Sequence, residues 1–143
     1  MSRACFAFLT FVVLLQPAFV VLLTPVEASG RMSHLLDRSN LPIACVEGWS
    51  TTQAWTGVRL RDLAALAGVP APSSAVVRSL ENGPFAQATL TSGQVLHPDA
   101  LLAIAVNGAP LAPDHGYPAR VVVPALPGVH NTKWVRSIEF RSS

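Results

Sequence analysis

This chain of 143 residues contains a single lysine, two cysteines and one tyrosine, and only 13% of its residues are charged. The nine arginines are scattered along the chain instead of forming a basic stripe, and aromatic residues do not alternate with them. Nucleic-acid-binding domains concentrate positive charge on one face and often place aromatic rings beside it. The composition therefore disfavours nucleic acid as a partner.

Two common catalytic motifs are absent as well. The segment "GWS" at 48–50 is not followed by the glycine that the nucleophile elbow of a serine hydrolase requires. The four histidines have no paired spacing of the kind found in zinc sites. The sequence gives no support for a hydrolase of that type or for a histidine-based metal site.

An uncharged apolar segment spans residues 4–24, "ACFAFLTFVVLLQPAFVVLLT", and Arg3 precedes it. The residues "VEA" follow at 26–28, where a signal peptidase would recognise Val26 and Ala28, so one interpretation is a signal peptide that is removed. The segment also nears the ~20 apolar residues that span a bilayer. The other interpretation is therefore an apolar leader helix that anchors the chain in the cytoplasmic membrane.

Both interpretations make 1–28 a leader and 29–143 an exported domain, located in the periplasm or on the outer side of the membrane. Cys5 lies in the leader, so Cys45 is the only cysteine of the exported domain. A lone cysteine there indicates an intermolecular disulfide, a reactive thiol or a metal ligand. Because free cysteine is also among the most buried residue types, a buried structural thiol is the alternative.

The exported part has the pattern of a strand-rich α+β domain with two short helices. Apolar runs and alternating segments bounded by glycine, proline and asparagine predict strands, and apolar residues at helical spacing predict helices. Asn107-Gly108 favours a tight hairpin turn, because that turn needs positive φ at both central residues. The predicted strands are 41–46, 75–81, 85–90, 119–126 and 133–140, the predicted hairpin is 103–111, and the predicted helices lie in 57–68 and 97–102.

The segment 111–134, "LAPDHGYPARVVVPALPGVHNTKW", places several polar residues in loops on either side of one apolar strand. Its glycines and prolines predict rigid loops that present backbone N–H groups, and the only lysine lies at its end. Backbone donors beside arginine and lysine form a site for an anion such as a phosphate. The alternative is that the two loops do not meet and that Arg120 is solvated. The polar residues are Asp114, His115, Arg120, His130, Asn131 and Lys133.

Four blocks of sequence, in a fixed order, resemble a known family. They are "CVEGWS", "W-x-G-V-x-L-x-D-L", "VNGAPLAPDHGYPARVVVP" and "G-V-x-x-x-KW", and they cover residues 41–140. This order is similar to the molybdopterin-dependent oxidoreductases of the sulfite oxidase family. It resembles even more the bacterial branch that includes the periplasmic methionine-sulfoxide reductase catalytic subunit.

The resemblance implies the C-terminal portion of a sulfite-oxidase-type molybdopterin-binding domain, with molybdenum–molybdopterin as its cofactor. It places Cys45 at the position of the catalytic thiolate that ligates molybdenum, which agrees with the preference of soft metal centres for thiolates. It also implies a set of contacts to the pterin phosphate. These are His115, Arg120, Asn131, Thr132 and Lys133.

The departures from the family pattern affect the expected function. Sulfite oxidases have arginines after their cysteine, whereas this chain has Trp49, Ser50 and Thr51. We therefore expect two-electron oxygen-atom transfer on a small neutral S- or N-oxide, with an electron-transfer partner in the membrane or periplasm. The family's half before the cysteine strand is not found here, so the chain looks truncated. The alternative is a non-catalytic remnant or a small exported binding module without a cofactor.

Overall fold

The computed structural model describes residues 8–15, 18–25, 35–44, 50–124 and 130–143. The regular elements among these residues include ten strands, two short helices and the 3-10 turn at 113–115, and loops connect them. In chain order they are β1 (Phe8–Leu15), β2 (Ala18–Pro25), β3 (Leu36–Ala44), β4 (Ser50–Arg59), α1 (Leu60–Leu66), β5 (Ser74–Ser79), β6 (Gln87–Thr91), α2 (Ser92–Val95), β7 (Leu101–Val106), β8 (Ala109–Pro110), the 3-10 turn (Pro113–His115), β9 (Arg120–Val122) and β10 (Val135–Arg141).

The strands form two antiparallel sheets. The first sheet has the order β1-β2-β10-β5-β6, and the second has the order β3-β4-β7-β8 with β9 also paired to β7. Because strand residues alternate between faces, Leu102 of β7 lies in the main core while its neighbours Leu101 and Ala103 lie in a second cluster. The main core joins both sheets and helix α1. The second cluster therefore lies on the opposite face of the second sheet.

Most of the predicted elements are confirmed, and the strand-rich α+β class with them. The predicted hairpin is β7–β8, where Asn107 has φ 51° and Gly108 has φ 81°, as its tight turn requires. The first predicted helix is α1, and Gly68 with φ 81° follows its end.

The predicted helix at 97–102 is wrong. Helix α2 comes earlier, because the side chains of Thr91 and Gln94 cap each other's backbone N–H groups in a capping box. Leu101 already begins strand β7, where three consecutive residues, Leu101 to Ala103, are buried. Pro98 after His97 is typical of a helix start, but the residues that follow form a central strand because both of its faces are buried.

The apolar leader helix is not found among the described residues either. Residues Phe8–Leu15 and Ala18–Pro25 form two paired strands, and β2 also pairs with β10. Valine, threonine and phenylalanine are abundant in both segments, and these residues prefer strands. No described helix is long and apolar enough to cross a membrane. Whether residues 1–28 act as a signal peptide or an anchor stays a prediction.

Strand β4 approaches β7 closely at a glycine. A β-carbon added to Gly57 would lie 2.1 Å from the backbone oxygen of Leu102, so no side chain fits at this position. The register between the two strands shifts between Thr56 and Gly57, which is the irregularity of a β-bulge. Trp55, two residues before Gly57 on the same strand, is 2% exposed and belongs to the second cluster. The indole therefore lies on the outer face of the second sheet, beside this change of register.

Candidate functional site

Cys45, the predicted thiolate ligand, lies outside the described residues. The structure does describe both strands next to it. Ala44, the last residue of β3, pairs with Ser50, the first residue of β4. The β3–β4 hairpin therefore carries the cysteine segment at one end and Trp55 five residues further along β4.

Arg120 is the most unusual ionisable residue in the described part of the chain. It begins β9, pairs with Ala103 of β7, and is only 6% exposed. Its guanidinium donates two long hydrogen bonds, of 3.3 Å to the backbone oxygen of His115 and 3.4 Å to that of Asn131. Its Nε–H is buried and has no partner among the described residues. Burial lowers the pKa of Arg120 to about 10, so the side chain is still a cation at neutral pH.

No described carboxylate forms an ion pair with Arg120. The four ion pairs in this part of the chain involve other arginines, namely Arg59 with Asp37, Arg61 with Asp62, and Arg78 and Arg141 with Glu139. Removing a cation from water costs several kcal/mol unless an opposite charge or hydrogen bonds compensate. Arg120 is therefore a buried cation at the start of β9 that has two long hydrogen bonds but no carboxylate partner among the described residues.

An aromatic ring covers this charge from one side. The guanidinium carbon of Arg120 lies 5.2 Å from the centroid of the Trp55 ring, within the range of a cation–π contact. The indole Nε1–H of Trp55 is also buried without a partner in the described residues. Two neighbouring side chains thus each leave a buried donor unused.

Gly116 lies where Lys133, the second predicted cation, comes close to Arg120. It follows the 3-10 turn Pro113–His115 with φ 103°, a conformation that favours glycine. A β-carbon added to Gly116 would lie 3.0 Å from Cβ of Lys133 and 3.2 Å from Cβ of Arg120. The loop therefore passes closely beside both basic residues, and the two predicted loops do meet.

Lys133 and its neighbour Trp134 fasten the 3-10 turn to β10. Lys133 Nζ donates 2.7 Å to the backbone oxygen of Asp114, and it lies 5.4 Å from the centroid of the Trp134 ring. Trp134 Nε1 donates 2.8 Å to the backbone oxygen of Pro113. Trp134 has φ 50°, and its backbone N–H donates to the oxygen of Gly116 at 3.3 Å. The amine of Lys133 is consequently held at the turn while remaining only partly buried.

Asn131 and Thr132 lie in the segment that leads into Lys133, and they are 3% and 4% exposed. The side-chain oxygen of Asn131 accepts from the backbone N–H of Val123 at 2.7 Å, which fastens this segment to the end of β9. The Oγ1 of Thr132 is buried without a partner in the described residues, and so is the Nδ1 of His130. Thr132 therefore offers a free hydroxyl, whereas Asn131 already uses its oxygen.

His115 differs from the other predicted phosphate contacts because its side chain is exposed. Its backbone oxygen accepts from Arg120, so the residue is close to the site through its main chain. Four of the five residues, His115, Arg120, Asn131 and Lys133, are thus linked directly or through Gly116. Thr132 is next to Lys133 in the chain, and its backbone oxygen accepts from the N–H of Val121 at 2.9 Å.

The arrangement fits an anion with several acceptor oxygens. Buried donors without partners cost about 1–3 kcal/mol each, so native structures rarely keep them unless a ligand or water completes them. Two such donors, the Nε–H of Arg120 and the hydroxyl of Thr132, lie in the segments that Lys133 adjoins, and Lys133 adds a second positive charge. No group of three or more metal-binding side chains occurs in the described part of the chain.

The prediction from the sequence missed one contributor, Trp55, which lies in the block "W-x-G-V". It included Gly116 only among the glycines and prolines that make the loops rigid, not as the point where Lys133 approaches Arg120. A signal was available for the glycines, since a glycine after a turn and a glycine within a strand each indicate a close approach of backbones. Contact between Trp55 and Arg120 follows only from the pairing of both strands with β7.

The sequence is similar to those of known proteins. The sequence matches the family described as oxidoreductase molybdopterin binding domain over residues 26–143. The uncharacterized oxidoreductase YuiH of Bacillus subtilis is 41% identical over 99 residues, which cover 68% of this chain and 49% of that protein. Sulfite oxidase of Arabidopsis thaliana is 36% identical over 111 residues, which cover 64% of this chain and 28% of that protein. The NADH nitrate reductase of Volvox carteri is 34% identical over 101 residues, covering 62% and 12% respectively.

Among solved structures, the sulfane dehydrogenase SoxCD of Paracoccus pantotrophus superposes with a TM-score of 0.65 at 24% identity, covering 81% of this chain and 34% of that chain. This likeness concerns the fold. The chain spans about half the length, or less, of the curated relatives named here. The match over 26–143, together with these relatives, shows that the chain belongs to the molybdopterin-binding oxidoreductases of the sulfite oxidase family.

Proposed function

We propose that this chain carries the phosphate-binding and thiolate-ligating part of a molybdenum–molybdopterin oxidoreductase. The bound cofactor supplies two-electron redox chemistry at molybdenum, and the protein supplies a ligand, a position and an electrostatic environment. The reaction that we propose is oxygen-atom transfer on a small neutral S- or N-oxide. Membership of the family supports the cofactor, and the burial and contacts of Arg120 support the residues.

The observation that carries the proposal is the buried Arg120 cation without a carboxylate among the described residues. A phosphate would neutralise this charge and accept from its unused Nε–H. Hydrogen bonds between a guanidinium and a phosphate are charge-assisted and frequently bidentate, so they would offset the cost of burial. A small binding module or an inactive remnant gives no reason to retain such an arrangement.

The other residues would complete the phosphate site in different ways. Lys133 would add a positive charge from the side of Gly116, and Thr132 would add its free hydroxyl. His115 would reach the phosphate from the surface, and Asn131 would hold the loop through its bond to Val123. Cys45 would deprotonate and ligate the metal, because a thiolate rather than a thiol is the ligand.

The substrate class rests on the residues after Cys45. Ser50 and Thr51 stand where sulfite oxidases have arginines, and Thr51 already accepts from the side chain of Gln53 at 2.9 Å. A site without these cations has little attraction for sulfite, so a neutral S- or N-oxide is the better fit. The same feature favours the methionine-sulfoxide reductase branch within the family.

We further propose that the domain is exported and works with an electron-transfer partner in the periplasm or the membrane. The apolar segment 4–24, with Arg3 before it and "VEA" after it, supports export. Cell fractionation with N-terminal sequencing would test this, since export with cleavage places Ser29 at the new N-terminus. A chain that is found only in the cytosol with residues 1–28 intact would contradict the proposal.

The phosphate site is tested by cofactor content. The full chain and its Arg120→Ala and Lys133→Ala variants are produced in a host that makes molybdopterin, and the molybdopterin that co-purifies is measured. One charge-assisted bond is worth about 1.5–3 kcal/mol, so each substitution should weaken retention more than tenfold. Arg136→Ala is the control, because Arg136 is an exposed arginine on β10. Unchanged loading in both site variants would refute the assignment.

A further inference from the structure

The contact between Trp55 and Arg120 has a consequence for how the phosphate site is built. A guanidinium has five N–H donors in a fixed plane, so its value for a phosphate depends on the orientation of that plane. Among the described residues, the guanidinium of Arg120 donates only to two backbone oxygens, at 3.3 and 3.4 Å. Both distances exceed the usual 2.9–3.0 Å or so of a good N–H···O bond. These bonds alone define the orientation weakly.

The indole of Trp55 supplies the missing restraint. It is 2% exposed, so its own orientation is fixed by packing in the second cluster. Its ring centroid lies 5.2 Å from the guanidinium carbon. In a water-excluded environment a guanidinium over an aromatic face is attracted more strongly than at the surface. The rigid ring therefore provides a platform for a side chain that otherwise has several rotatable bonds.

The sheet leaves room for this contact. Both partners lie on strands that pair with β7, on its opposite edges. The β7 residue that pairs with both Gly57 and Arg120 is Ala103, which packs in the same cluster as Trp55. Its side chain is a single methyl group, so little volume separates the indole from the guanidinium. Gly57 and Ala103, which pair with each other, thus leave space for the contact between Trp55 and Arg120 across β7.

We propose that Trp55 is a positioning residue, which holds the Arg120 guanidinium in the plane that receives the anion. The inference rests on the proposed phosphate site and deepens it. It also joins the two ends of the cofactor site in one element, because the β3–β4 hairpin that carries Trp55 also carries the Cys45 segment. Trp55 acts through Arg120.

The test uses inorganic phosphate as the probe and the full chain as the protein. Phosphate is titrated into the wild type and the variants, and the dissociation constant is read from the backbone amide resonances of Thr132 and Lys133. Trp55→Leu keeps an apolar side chain but removes the aromatic face. We expect its affinity to fall tenfold or more, which corresponds to about 1.4 kcal/mol or more. Trp55→Phe keeps the face and should retain most of the affinity.

Two further variants distinguish the positioning of Arg120 by Trp55 from a purely structural role of Trp55. Phe140→Leu removes a fully buried ring from the first sheet, so it should lower the melting temperature without lowering phosphate affinity. In the Arg120→Ala background, Trp55→Leu should cause no further loss, because its effect passes through the guanidinium. A loss of the same size in that background would overturn the inference.

The variants distinguish a failure of the positioning proposal for Trp55 from a failure of the proposed phosphate site. If Arg120→Ala weakens phosphate binding but Trp55→Leu does not, the phosphate site stands and the positioning by Trp55 is wrong. If Trp55→Phe is as weak as Trp55→Leu, the aromatic face is not the cause and the inference is also wrong. If Arg120→Ala and Lys133→Ala both bind phosphate as the wild type does, the site itself is wrong and the inference falls with it.

Discussion

A β-carbon placed on Gly116 would lie 3.0 Å from Cβ of Lys133, closer than side chains normally approach. A side chain at residue 116 would therefore force Lys133 or the loop after the 3-10 turn to shift by a few tenths of an ångström. Its φ of 103° adds a second reason, since residues with a β-carbon rarely adopt it. One glycine thus brings a lysine from the start of β10 next to an arginine from the start of β9.

Replacing this glycine tests that relationship. Gly116→Ala should lower the free energy of unfolding by about 1–3 kcal/mol, because it combines backbone strain with a steric conflict. It should also lower molybdopterin content, because the loop must move away from Lys133. Urea denaturation and cofactor analysis measure the two effects.

The matched control is Gly93→Ala. Gly93 lies in α2, and a β-carbon there meets nothing within 4 Å. Since alanine is the better helix former, this variant should be neutral or slightly more stable. Equal stability of both variants would contradict the account of Gly116.

Trp134→Phe should loosen the 3-10 turn. The substitution removes the 2.8 Å hydrogen bond from Nε1 to the backbone oxygen of Pro113 but keeps an aromatic ring near Lys133. We expect a loss of about 1 kcal/mol in the free energy of unfolding. Amide hydrogen exchange at His115 and Gly116 should become faster. Unchanged exchange at both positions would show that the indole does not hold the turn.

The stability of the first sheet should depend on acid pH through Glu139. Hydrogen bonds from Arg141 and then Arg78 hold the pKa of this carboxyl below its ordinary 4.5. A lowered pKa means that the unfolded chain binds more protons, so the stabilisation is present above pH 4.5 and is lost as the pH falls through the folded value. The side chains of Arg78 and Arg141 are 40% and 49% exposed, so the effect should stay within about 1 kcal/mol.

Glu139→Gln should therefore be less stable than the wild type at pH 7 and equal to it at low pH. Glu81→Gln is the control, because Glu81 is exposed and forms no ion pair with a described residue. Thermal melts at several pH values compare the three proteins. A difference between Glu139→Gln and the wild type that stays constant with pH would contradict the linkage.

The secondary structure was predictable where local chemistry decides it. Asn107-Gly108 determines its own hairpin turn, and Gly68 ends α1, because both positions need positive φ. The prediction failed where long-range pairing decides the structure. Leu101 is buried on both sides by neighbouring strands, and this burial made a strand of a segment that begins with a helix signal.

The candidate site was predictable in its chemistry but not in its geometry. The only lysine and the arginine at a strand start indicated an anion site, and the order of the four blocks indicated the family. No local pattern predicts that Arg120 has no carboxylate partner among the described residues, or that its guanidinium lies over the ring of Trp55. Both depend on strands that are separated by more than 60 residues and meet at β7.

The central claim is that Cys45 ligates molybdenum in a domain that holds molybdopterin. Molybdenum X-ray absorption on the purified full chain measures this most directly, because it counts the sulfur neighbours of the metal. The account predicts three sulfurs in the wild type, two from the dithiolene and one from Cys45. It predicts one sulfur fewer and no oxygen-atom transfer in Cys45→Ser, with an unchanged melting transition of the protein. The same sulfur count and undiminished turnover in Cys45→Ser would contradict it.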